Sequence, residues 1–111
     1  MSGMVVLSIS GVHSELHRFL KLRGHSLAEA GSAALGLGAE DAKVFLGMLR
    51  ARDVPIVGME IWRKIGHRYR LDGREVWYPI HKEPQLAYLD ALEYLSSIKP
   101  SHDDVFTIQF G

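Results

Sequence analysis

Between residues 54 and 79 the chain carries runs of strand-forming residues, interrupted by Asp72-Gly73. An Asp-Gly pair flanked by apolar-containing runs is a strong signal for a two-residue hairpin, because it tolerates the positive φ angles such a turn needs. It predicts pairing of Leu71 with Arg74, Arg70 with Glu75, Tyr69 with Val76 and Arg68 with Trp77. The turn before it admits two forms. A two-residue loop at Ile65-Gly66 sets Glu60 opposite Leu71, on the face of Tyr69 and Val76. A three-residue loop, Lys64-Ile65-Gly66, puts Gly66 at the left-handed position of a bulged turn. The three-residue loop is preferred because it sorts the faces. Val57, Met59, Ile61, Tyr69, Leu71 and Val76 share one side, and the rows Glu60-Arg70-Glu75 and Trp62-Arg68-Trp77 share the other. Burying an unpaired carboxylate costs several kcal/mol, more than turn preference can offset, so the register that keeps Glu60 off the core should win.

The flanking segments supply helices. Residues 14–23 carry Leu16, Phe19, Leu20 and Arg23 at helical spacing behind a Ser14 N-cap. Ser26-Leu27-Ala28-Glu29 has capping-box spacing and predicts one short helix within the glycine-rich stretch 24–38. Residues 39–52 place Ala42, Phe45, Leu46 and Leu49 on one stripe, with Glu40 and Asp41 in the first turn and Arg50 and Arg52 in the last. Residues 84–98 repeat the pattern with Tyr88, Ala91, Leu92, Leu95 and Ile98, between Pro84 and Pro100. Residues 4–9 and 105–110 read as further strands. The expected fold is α+β: a single domain over residues 1–111, with a mostly antiparallel sheet of four or five strands. Two main helices pack on one face and the other face is at least partly open.

Composition narrows the function. The 111 residues hold no cysteine, which excludes disulfides, thiolate metal sites and a Cys nucleophile. Thirteen basic side chains balance thirteen acidic ones. That balance counts against nucleic acid as main partner, since phosphate neutralisation needs a basic surface. The basic charge is local. Residues 63–74 carry five basic side chains against one acidic, a net +4. The apolar run Met4–Ile9 is too short for a signal-peptide core, and nothing approaches the ~18 apolar residues of a membrane span. A cytoplasmic protein with no membrane partner is expected.

No catalytic constellation appears. His13 and His17 at helical spacing lack the Glu after the first His that a zinc-protease motif requires, Ser14 standing there instead. Gly31, Gly36 and Gly38 match neither a P-loop nor a dinucleotide fingerprint. No G-x-S-x-G occurs. Asp103-Asp104 reads as a solvated turn. Neither a metal, a cofactor nor an enzymatic activity is expected. The outer-face group of Glu60, Trp62, Arg68, Arg70 and Trp77 is the candidate site, since Trp and Arg are the commonest interface anchors. Two structural readings compete with it: a self-satisfied cross-strand ladder, and a face covered by residues 24–38.

Several runs resemble one family: Gly24-His25-Ser26-Leu27; Leu35-Gly36-Leu37-Gly38-Ala39-Glu40-Asp41-Ala42 with its helix to Arg52; Val54-Pro55-Ile56-Val57-Gly58-Met59-Glu60-Ile61-Trp62; and Glu75-Val76-Trp77-Tyr78. The family is the bacterial polymorphic-toxin immunity proteins catalogued as immunity protein 40. The resemblance covers about residues 15–80. Where the family strand tends to read Gly-Gly-Asp-hydrophobic-aromatic, this chain has Gly58-Met59-Glu60-Ile61-Trp62. Where the family often has Asp-Asn before Trp-Tyr, it has Glu75-Val76. The resemblance implies an antidote that blocks a cognate toxin by tight binding, with Glu60, Trp62, Trp77 and Tyr78 as contact residues. The expected register sets Tyr78 on the opposite face, beside His67. The basic hairpin then calls for an acidic surface on the toxin. The alternatives are a small nucleic-acid-binding or regulatory domain using hairpin 63–74, a hydrolase with scattered histidines, and self-association as a homodimer through the open sheet face.

Overall fold

The computed structural model describes residues 14–78, 83–98 and 103–111. The expected strand at 4–9, His13 and the stop at Pro100 lie outside them. Residues 14–23 are helical (α1), followed by strand β1 at His25–Ser26, a 3-10 turn at Ala28–Ala30 and strand β2 at Leu35–Gly36. Helix α2 spans Ala39–Ala51, strand β3 Ile56–Ile65, strand β4 Arg68–Trp77, helix α3 Pro84–Ser97 and strand β5 Val105–Phe110. Within the capping-box segment, Ser26 Oγ accepts the Ala28 N–H at 3.3 Å. Helix α2 buries the four residues of its apolar stripe, Ala42, Phe45, Leu46 and Leu49.

The α+β architecture holds, with differences in number. Among the described residues there are three helices, and the main sheet has three strands in the order β4-β3-β5, all antiparallel. β1 and β2 form a separate two-stranded ribbon. Where three short strands are expected, β3 and β4 make two long ones, so among the described residues the main sheet has fewer than the expected four or five strands. The hairpin turn is Gly66-His67, with Ile65 paired to Arg68. Gly66 at φ +66° opens a two-residue loop, the residue type the first position of a II′ turn requires. Asp72-Gly73 is instead a bulge inside β4. The register jumps from Trp62↔Leu71 to Glu60↔Glu75, so β4 carries two extra residues there, with Gly73 at φ +91°.

This register redistributes the faces. Met59 and Ile61 turn toward the helices, with Val76 beside Met59. They join Leu16, Phe45, Leu46, Leu49, Tyr88, Ala91, Leu95 and Phe106 in one core. Tyr69 and Leu71 lie on the opposite side from the expected one, and Val57 is exposed next to a bulge between Ile56 and Gly58. Glu60 stays off the core, as the cost of carboxylate burial demands.

Candidate docking surface

Alternation along β3 puts Gly58, Glu60, Trp62 and Lys64 on the outer face, away from the helices. Pairing extends each into a row: Gln109-Gly58-Trp77, Thr107-Glu60-Glu75, Val105-Trp62-Leu71 and Lys64-Tyr69. The expected rows Glu60-Arg70-Glu75 and Trp62-Arg68-Trp77 therefore do not form. Arg70 sits opposite Arg63, and Arg68 opposite Ile65. Both lie on the inner side of the hairpin tip, across the sheet from the tryptophans.

The outer face divides in two. At the tip end Leu27, carried by the segment between β1 and β2, packs with Trp62, Val105 and half-buried Tyr69. Trp62 is only 8% exposed, and its Nε1–H donates to Thr107 Oγ1 at 3.2 Å. Its side chain is thus a structural element of the covered half, not an exposed anchor. This much of the face is covered by the 24–38 segment, one of the two structural alternatives to docking.

At the base end the cover stops. Trp77 is 53% exposed and lies over Gly58, where any Cβ would collide with the indole ring. Glu60 is half-buried and fixed: its Oε1 accepts Thr107 Oγ1–H and Gln109 Nε2–H, each at 3.2 Å. Glu75 is exposed directly opposite. Of the six expected contact residues, then, Glu60 and Trp77 share the uncovered half, Trp62 is buried beside it, and Arg68 and Arg70 are on the other side. Tyr78 also faces inward. It is half-buried in a cleft of about 440 Å³ between β4 and α3, which is also lined by Val76, Trp77, Asp90, Glu93, Tyr94 and Ser97. Burial, helped by the Asp90 and Tyr94 charges, pushes the Tyr78 hydroxyl up to about 12. His67, its expected neighbour, is at the far end of the hairpin.

The β4 bulge carries an ionic knot. Arg74 donates to both Asp72 oxygens at 2.6 and 3.1 Å, and Arg63 Nε approaches Asp72 at 3.5 Å and Asp104 at 3.6 Å. The Arg74 hydrogen bond holds the Asp72 carboxyl below its usual range, and the Arg63 charge adds to the effect. Asp104 is 2% exposed, which corrects its reading as part of a solvated turn. Asp103, its neighbour, is exposed.

Thr107, Gln109 and Glu75 join the site beyond the expected contact residues. The alternation of Val105, Thr107 and Gln109 along β5 was the signal that could have placed two of them beside Glu60. Among the described residues no group of three or more potential ligands is placed to hold a metal, and no helix is long and apolar enough to cross a membrane. Comparison with protein-family models, with curated proteins and with solved structures finds no match for this chain.

Proposed function

We propose that this chain is a cytoplasmic immunity protein that binds a cognate bacterial toxin and neutralises it by occlusion, with no catalytic role of its own. The observation that carries the reading is the uncovered half of the outer sheet face. There an exposed indole lies over Gly58 next to a carboxylate fixed by two hydrogen bonds. A fixed aromatic on a flat, partly polar surface is the composition of a binding hot spot. The order of motifs from Gly24 to Tyr78 supports the toxin as the class of partner, through the family resemblance. A standard interface takes about 800 Å² from each partner, within reach of one sheet face and its rim.

The test has two stages. Capture from native cells on the tagged chain should recover one large secreted-type protein in stoichiometric amount. In a titration of that purified pair, Trp77→Ala should weaken binding by at least ~2 kcal/mol while the fold stays intact. Unchanged affinity would count against the reading.

A second reading follows from the inner side of the hairpin tip, where Arg63, Arg68 and Arg70 gather. These could hold phosphates of a nucleic acid, although buried Trp62 is not open for base stacking. Steep salt dependence of binding to a generic oligonucleotide is its signature.

A further inference from the structure

Glu60 and Glu75 are cross-strand partners on the same face. Like charges directly opposite each other destabilise a sheet unless something neutralises them. Among the described residues neither carboxylate makes an ion pair. The nearest cation in sequence, Arg74, turns away to hold Asp72. The groups that do reach Glu60, Thr107 and Gln109, are neutral. Two residues along, on the same face, the exposed indole of Trp77 lies over Gly58. Leu27 and its segment cover Trp62, Val105 and Tyr69 but not this corner.

We infer that the uncovered half of the outer face docks a protein partner by seating one of its basic side chains between Glu60 and Glu75 beside Trp77. An arginine fits best, because its planar guanidinium meets carboxylates through paired hydrogen bonds and also stacks on an aromatic face. The cation relieves the like-charge pair, so the sheet's local repulsion becomes part of the binding. The inference rests on the reading that this face docks a protein. It does not depend on that protein being a toxin.

The probe is N-acetyl-arginine amide, titrated into the full chain at low ionic strength and followed by heteronuclear NMR. Saturable shifts are expected at the Trp77 indole N–H and at the Glu60, Glu75 and Gln109 amides, with the Trp62 indole unmoved. N-acetyl-citrulline amide, uncharged and nearly isosteric, should produce none. Glu75→Gln should weaken the response about threefold. Glu75→Arg, which places a guanidinium in the gap from within, should abolish it. Absence of saturable shifts, an equal response to citrulline, or indifference to Glu75→Gln would each overturn the inference. So would shifts at these residues that grow with protein concentration alone, which would mean a second copy's arginine sits there. The two readings fail separately. A captured toxin that ignores Glu75→Arg removes the arginine seat and leaves the antidote. A specific probe response without any captured toxin does the reverse.

Discussion

Two tryptophans of one sheet face have opposite assignments, and burial decides which is which. Trp62 sits under Leu27 and hydrogen-bonds Thr107, so Trp62→Ala opens a cavity and removes one hydrogen bond. A loss of about 3–5 kcal/mol in urea unfolding is expected. Trp77→Ala should cost under about 1 kcal/mol in the same assay, because its ring is mostly in water. The sequence carries no sign that separates the two residues, since both follow alternating runs. What separates them is a long-range contact from residue 27. Asp104 illustrates the same limit. Adjacent acidic residues near a strand start look solvated, and only the fold brings Arg63 within 3.6 Å of one of them. Tyrosines show the converse case, where identity suggests a partner but not whether it exists. The single Tyr88 hydroxyl hydrogen is shared between the carbonyls of Val54 and Leu49, and Tyr88→Phe should cost about 1–3 kcal/mol. Tyr94 Oη is buried with no hydrogen-bond partner among the described residues, so Tyr94→Phe should leave stability unchanged or raise it.

At the scale of elements, the helices were legible because their signals are local. The α2 stripe and the charges at its ends lie within thirteen residues, and every expected stripe residue is buried. The hairpin turn differs from its expected place for an equally physical reason. Asp-Gly answers a need for positive φ, and a bulge poses that need as well as a turn does. Gly66-His67 makes the turn, and the two extra residues of β4 are absorbed within the strand. The bulge should therefore be sensitive at Gly73. Gly73→Val, at φ +91°, should destabilise by more than ~1 kcal/mol in thermal or urea unfolding, and Gly73→Asn by less. The knot at the bulge should also show in acid. Asp72 has a lowered folded pKa, so its contribution is fully present above the ordinary carboxylate range and is lost as pH falls through the folded value. Asp72→Asn should flatten the acid limb of the stability curve and leave little difference from wild type at the lowest pH. An unaltered acid limb would show that Arg74 and Arg63 do not hold the bulge through this carboxylate.

For the whole molecule, the layer between α3 and the sheet sets a second pH boundary. Tyr78, Tyr88 and Tyr94 all have their hydroxyls raised, in each case chiefly by burial. The expected class, helices on one face of an antiparallel sheet, already implied that large amphipathic side chains would fill this layer. It did not imply that Tyr78 and Tyr94 would line one cleft there, because α3 and the end of β4 meet only in the folded chain, while the Tyr88 hydroxyl is buried at the end of α2. Above the ordinary tyrosine range, near pH 10, the unfolded chain loses these protons while the folded one keeps them. The unfolded state then binds fewer protons, so stability must fall as pH rises. For Tyr78 the fall should extend to about pH 12. Urea midpoints should thus hold steady through neutral pH and decline above pH 10, while the tyrosinate absorbance of the native chain lags behind that of the unfolded chain. Tyr78→Phe should shrink the decline without moving the acid limb, because its hydroxyl lies in the cleft and Asp72 lies at the bulge. A native titration that coincides with the unfolded one would mean water reaches the layer freely. The helices and the sheet would then not be packed as one core.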